Sequence, residues 1–402
     1  MLSSMETRGL IGARCRRRIA ILTVLFCAGT IPVPCQVGLD AASQWLTVGK
    51  SYAPKTDHGH SWGADGTIDI TSDFGLLLGI GPAYTQYAYR EDPYLFRTSL
   101  VGAIAIPSWR WKLIYTFFMP SVGNRLALEL RGGLSTVEVI NFYGFGSDTQ
   151  RDMSIEETGY YDVDATIYAS VFYLGFGAAP SLWIGPAVGL NYMDMRNAEG
   201  RLIGEIDPEL VGTDRLYLGP GIQLYSDTRE RSLYPRSGTY LFTGAHNWFA
   251  TAPGRTPFYQ VMVDSRWYGP VTRIPDFILA LRLSGMATFG AVPFYQVARL
   301  GGRRSLRGYE FERFRGDHMI AGSAEARFPF FREVIVIPVE FGGFLIADGG
   351  RLWYEGESPG GWRGSWGFGL WGATLSRDVL GIVYAAFCRE SWIIRAGFGF
   401  DY

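Results

Sequence analysis

Apolar and polar residues alternate along much of the chain. Leu126, Leu128 and Leu130 interleave with Ala127, Glu129 and Arg131, and Phe277, Leu279, Leu281 and Leu283 interleave with Ile278, Ala280, Arg282 and Ser284. Successive side chains of a strand face opposite ways, so each stretch predicts a strand with one apolar face and one more polar face. Such signals run from about Phe74 to Tyr402. At roughly 20 residues per strand and connection they give about 16 strands, a usual even number for a bacterial barrel. Alternation alone fits a soluble sandwich with its apolar face inward as well as a membrane barrel with that face toward lipid.

Two further features favour the barrel. Tyr84, Tyr87 and Tyr89, and the run Trp109-Arg110-Trp111-Lys112, cluster aromatics near strand ends, as in the girdles at membrane interfaces. The stretch from Ala165 to Met193 carries no charge, but Gly175, Gly177, Gly185, Gly189, Pro180 and Pro186 would break a helix. Ala179-Pro180-Ser181 divides it into two strand-length halves, which predicts a hairpin. Gly81-Pro82, Gly185-Pro186 and Gly219-Pro220 fall inside apparent strands and read as bulges or strand starts, because proline removes a ladder donor. The expected fold is all-β: a transmembrane antiparallel β-barrel.

The first 35 residues differ from the rest. Arg14, Arg16, Arg17 and Arg18 precede an uncharged run from Ile19 to Thr30, then Pro32, Pro34 and Cys35. This is the order of a secretory signal, and the run is shorter than the roughly 20 residues that cross a bilayer. The expected organisation is a signal peptide over 1–35, a short periplasmic segment over 36–71 and a barrel over 72–402. Cys15, Cys27 and Cys35 lie in the signal, so Cys388 stands alone in the exported chain and no internal disulfide is expected.

Composition closes off other classes. A net charge of −1 gives no concentrated basic surface for nucleic acid. His58, His60, His246 and His318 are the only histidines, and none has a serine or cysteine at a triad spacing. Asp57-His58-Gly59-His60 is too sparse for a metal site, and Gly301-Gly302 lacks the strand–loop–helix setting of a phosphate loop. No enzyme activity, cofactor or metal is expected.

The C-terminal run Arg395-Ala396-Gly397-Phe398-Gly399-Phe400-Asp401-Tyr402 has the spacing of a terminal barrel strand, with Phe398, Phe400 and Tyr402 on one face. Gly397, Phe400 and Tyr402 would form its assembly signal. More specific are Leu300-Gly301-Gly302-Arg303-Arg304-Ser305-Leu306-Arg307-Gly308-Tyr309, then Gly322-Ser323-Ala324-Glu325-Ala326-Arg327-Phe328-Pro329, then Asp348-Gly349-Gly350-Arg351-Leu352-Trp353. In order and spacing these resemble the BamA/TamA outer-membrane assembly-factor superfamily, or bacterial surface antigen family. Asn141-Phe142-Tyr143-Gly144-Phe145-Gly146-Ser147-Asp148-Thr149, Asp227-Thr228-Arg229 and Pro235-Arg236-Ser237-Gly238 also look like it.

The resemblance implies a long extracellular loop folded back into the barrel. Its tip would be Leu306, Arg307, Gly308 and Tyr309, with Glu325 and Asp348 as wall partners of the arginine. It implies an outer-membrane location in contact with lipid, and an assembly or translocation role with client proteins. Ile346 departs from the aromatic usual two residues before the aspartate. The periplasmic domains of full-length assembly factors have no counterpart in residues 36–71. That leaves a periplasmic partner protein to supply the function, or a passive pore or structural barrel as the alternative.

Overall fold

The computed structural model describes residues 58–402 apart from 72–74, 90, 92–93, 123–124, 138–140, 157, 180, 197–198, 252–255, 272–275, 335–337, 356–358, 376 and 378. The expected signal peptide and residues 36–57 lie outside the described residues, as does Pro180. The strands are β1 (His60–Thr71), β2 (Gly75–Gln86), β3 (Phe96–Pro107), β4 (Trp111–Val122), β5 (Leu126–Ser135) and β6 (Asp164–Ala179). Next come β7 (Leu182–Arg196), β8 (Leu216–Asp227), β9 (Gly238–Ala250), β10 (Phe258–Pro270), β11 (Ile278–Phe289), β12 (Ala298–Leu300) and β13 (Phe314–Gly316). The last are β14 (His318–Val334), β15 (Pro338–Trp353), β16 (Arg363–Thr374), β17 (Leu380–Phe387) and β18 (Trp392–Phe398).

Neighbours in sequence are neighbours in the wall, except that β11 pairs with β14 because β12 and β13 form a separate two-stranded sheet. β18 returns to β1, and the 16 wall strands close an antiparallel barrel. On β10, Tyr259, Val261, Val263 and Trp267 point outward and are exposed, while Gln260, Asp264, Arg266 and Tyr268 point inward and are buried. The same outward band recurs in Leu281 and Leu283, in Trp366, Phe368 and Leu370, and in Ile394. A soluble monomer rarely exposes more than a few hundred Å² of contiguous apolar surface, and here large apolar side chains are exposed on strand after strand of the wall. This decides between sandwich and barrel: the apolar face is outside and the charges are inside.

The hairpin expected between Ala165 and Met193 is β6 and β7. The Gly-Pro pairs differ from expectation. Each lies within a strand and interrupts the ladder toward one neighbour without shifting it: β2–β3 pairing runs to Ile80↔Gly102 and resumes at Ala83↔Ser99. Likewise β8–β9 pairing skips from Leu218↔Phe249 to Gly221↔His246. The missing proline N–H removes ladder bonds on one side, while the other side keeps the strand in place.

The barrel also begins earlier than expected. β1 occupies residues 60–71, which the sequence assigned to a periplasmic segment, and the wall starts at His60 rather than 72. The segment HSWGADGTIDIT carries small and polar residues instead of a clear apolar alternation, so its strand character comes from pairing along its full length with β2.

Closure is uneven. β14 and β15 pair from His318↔Trp353 to Val334↔Pro338, whereas among the described residues β1 and β18 share two pairs, Asp69↔Gly397 and Ile70↔Ala396.

Candidate functional site

The segment between β11 and β14, residues 290–317, turns into the barrel interior. Its apolar side chains Leu300, Leu306, Tyr309 and Phe314 pack with Ala321 of β14 and Leu352 of β15. A tight fold at the tip is held by Gly301 N–H donating to Ser305 Oγ (2.8 Å) and Gly302 N–H to the Leu306 carbonyl (3.1 Å).

That fold aims Arg307 at the wall. Its Nη2 donates to Asp348 Oδ1 at 2.6 Å, its backbone N–H reaches Asp348 Oδ2 at 3.0 Å, and its Nη1 donates to Glu325. Ser365 Oγ of β16 donates to Asp348 at 3.0 Å, and Arg327 Nε donates to Glu325 at 2.7 Å. Arg307 is fully buried. A guanidinium keeps its charge when buried, so carboxylates must compensate its lost hydration, and removing one partner from such a pair costs about 3–5 kcal/mol. The structure thus brings together Arg307, Glu325 and Asp348.

Gly308 serves close approach: a Cβ there would lie 2.8 Å from the Phe387 backbone, and Ser391 Oγ donates to the Gly308 carbonyl at 3.2 Å. Gly308 also lies within a tight turn, Leu306 to Tyr309, closed by the Tyr309 N–H donating to the Leu306 carbonyl at 3.1 Å, whereas Gly301 and Gly302 are the tip glycines with positive φ. Tyr309 is buried with its ring edge-on to Phe314, centroids 5.4 Å apart.

The terminal residues depart from the expected continuous strand. β18 ends at Phe398, and Gly399 adopts φ +75°, a left-handed conformation that redirects the chain. Gly397 remains in the wall, opposite Asp69 and Ile382. Phe400 and Tyr402 are buried and lie beyond the end of the strand that holds Phe398, so the three do not share one strand face. Phe400 packs among Tyr234, Phe344 and Trp371. The Tyr402 ring lies 5.3 Å from the Arg307 guanidinium, and its carbonyl accepts from Arg327 Nη2 at 2.9 Å. Between them Asp401 accepts from Arg303 Nε at 2.6 Å. Burial by itself would raise the Asp401 carboxyl, but the Arg303 and Arg307 charges outweigh it and hold the group below its ordinary value.

Sequence patterns missed several partners. Asp264 holds both Arg266 (2.6 Å) and Arg282 (2.9 Å), and Arg282 also donates to the Arg304 carbonyl of the inserted segment. Glu312 pairs with Arg299 and Arg315, bracing β12 against β13. The signal that could have found Asp264 and Arg266 is their parity on β10, which puts both on the inner face. At the end of the barrel with the long loops, Arg313 Nη2 donates to the Thr149 carbonyl (2.7 Å), Arg315 Nη2 to that of Asn141 (3.3 Å), and Arg363 to that of Ser147. Three arginines therefore clamp the 141–149 segment over the inserted loop. Among the described residues no cluster of three or more histidines, cysteines or carboxylates could hold a metal. The arrangement is a network of ion pairs suited to fixing a loop against a wall.

Residues 194–374 match the Omp85 superfamily domain. The crystal structure of BamA from Haemophilus ducreyi lacking POTRA domains 1–3 is similar in fold, with TM-score 0.59 and 16% identity, covering 86% of this chain and 71% of that one. CdiB from Escherichia coli is similar with TM-score 0.56 and 12% identity, covering 87% of this chain and 64% of that one. The chain thus spans under two thirds of the CdiB chain. No curated protein sequence matches it.

Proposed function

We propose that this chain, whose barrel region is of the Omp85 superfamily, sits in the bacterial outer membrane and works there as an assembly or translocation barrel on other polypeptides. The single observation that carries the reading is the short seam: β1 and β18 are joined through Asp69↔Gly397 and Ile70↔Ala396 among the described residues, beside a lumen loop that is ion-paired to β14 and β15.

Each residue pair in a ladder adds backbone hydrogen bonds, and two pairs are far easier to part than the full-length ladders elsewhere in the wall. Gly397 in that seam adds no side-chain packing. Arg307, Gly308 and Tyr309 steady the wall through Glu325 and Asp348 while the seam opens, and Phe400 and Tyr402 anchor the strand end that would move. The long loops face the exterior and the short turns the periplasm, where client proteins and a periplasmic partner protein would arrive. A passive pore is the competing reading. The loop side chains buried within the lumen oppose a wide one.

The test is depletion of the protein followed by an inventory of outer-membrane proteins. Loss of a specific set of other outer-membrane or surface proteins is expected. An unchanged inventory with altered solute uptake would transfer the assignment to the pore.

A further inference from the structure

One buried arginine stands outside the ion-pair network. Arg395 on β18 points inward and is 3% exposed, yet its Nε and Nη2 have no hydrogen-bond partner among the described residues. Every other arginine buried to that degree carries an ion pair, including Arg131 with Glu129, Arg229 with Asp227, Arg266 with Asp264 and Arg327 with Glu325. Directly across the ladder from Arg395 stands Tyr384 of β17, whose buried hydroxyl makes no close hydrogen bond and has the Asp401 carboxylate as its neighbour. The charges acting on Tyr384 are Asp401, Arg395, Arg303 and Arg307; the one carboxylate among them is already held by Arg303. Arg307 is already paired with Glu325 and Asp348, so Arg395 is left without a carboxylate of its own.

A guanidinium taken out of water and left unpaired is among the costlier features a fold can carry, and its fork of donors suits an oxyanion. We propose that Arg395 and Tyr384 form an oxyanion subsite on the inner face of the seam strand. Its ligand is a phosphate- or carboxylate-type anion that arrives through the lumen or the opened seam. A lipid headgroup does not fit, because at this height the outer face carries the exposed Ile394 and Trp392 while Arg395 faces inward. Either a free anion or the carboxylate of an extended peptide supplies the same chemistry, and the test separates them.

The purified barrel in detergent is heated with inorganic phosphate, at ionic strength held constant with chloride, and the folded fraction is read from gel mobility. A parallel series uses a short aspartate-containing peptide and its asparagine counterpart. The subsite predicts that phosphate or the aspartate peptide raises the midpoint of the wild type by a few degrees, and that Arg395→Met abolishes the response. Tyr384→Phe should weaken it. A response to phosphate marks a free anion; a response to the aspartate peptide alone marks a carried carboxylate. Without ligand, Arg395→Met should match or exceed the wild type in stability, in contrast to Arg307→Met, which strands two carboxylates. No response to either probe, or a destabilised or unfolded Arg395→Met barrel, overturns the proposal.

Discussion

The Arg327 guanidinium lies 3.7 Å from the centre of the Phe400 ring, a stacked cation–π contact between the inner wall and the segment that follows the last strand. The same guanidinium donates to Glu325, which also receives Arg307 from the loop tip. Loop, wall and terminal segment are thus joined through one carboxylate.

Arg307→Ala should destabilise the folded barrel by about 3–5 kcal/mol, since it leaves Glu325 and Asp348 short of a counter-charge in the interior. Alanine at Arg196, whose pairing with Asp194 is largely exposed, should cost less than about 1 kcal/mol. The midpoints of denaturant unfolding of the two variants give the comparison; equal losses would show that burial of the Arg307 cluster contributes nothing.

Gly308→Ala should impair folding despite adding a single methyl group. The added carbon would sit 2.8 Å from the Phe387 backbone, and the loop tip would have to lift from β17. Overpacking of this kind costs roughly 1–3 kcal/mol. A Gly302→Ala variant separates strain at positive φ from this contact, because there the added carbon meets Phe311 at 3.2 Å, tighter than ordinary contact but looser than at Gly308.

Phe400→Ala should loosen the terminal segment, through loss of the Arg327 stack and of packing on Tyr234, Phe344 and Trp371. Truncating a buried phenylalanine costs about 3–5 kcal/mol. Protease digestion of the folded barrel should then release C-terminal residues faster than in the wild type. Equal rates would mean that Gly399–Tyr402 is held mainly by Asp401 and the Tyr402 carbonyl.

Cysteines at Ile70 and Ala396, with Cys388 replaced, should form a disulfide across the seam, since these positions are direct partners in the ladder. Oxidation should abolish the assembly or translocation activity proposed above, and reduction should restore it. Full activity with the seam quantitatively closed removes lateral opening as the mechanism.

Asp401 gives a pH dependence of known sign. Its carboxyl is depressed in the folded protein, so its contribution to stability is present above the unfolded value of roughly 4 and is lost as pH falls through the lower folded value. The wild-type heat-unfolding midpoint should therefore fall more steeply below about pH 4 than that of Asp401→Asn. Parallel curves for the two proteins would remove Asp401 from the acid response.

Periodicity made the barrel legible. Side chains of a strand must alternate, and Leu126 to Arg131 or Phe277 to Ser284 can satisfy that pattern only as strands with unlike faces; the hairpin over Ala165–Met193 follows from glycines and prolines that forbid a helix. Arg307, Glu325 and Asp348 could be named in advance because each sits in a motif by which the chain resembles the assembly-factor superfamily. The sequence could not locate β1, since HSWGADGTIDIT lacks the alternation and becomes a strand through pairing with β2. Nor could it show the terminal segment turning inward, because Phe398, Phe400 and Tyr402 have perfect strand spacing and only the φ of Gly399 breaks it. Parity along β10 and β11 puts Asp264, Arg266 and Arg282 on the inner face, but which carboxylate each arginine meets depends on the register between strands and on the path of the inserted loop. Local propensity acts within a few residues and is written in the chain. Charge pairing across a closed barrel joins residues far apart in sequence, and it is fixed only when the wall curves round and the loop fills it.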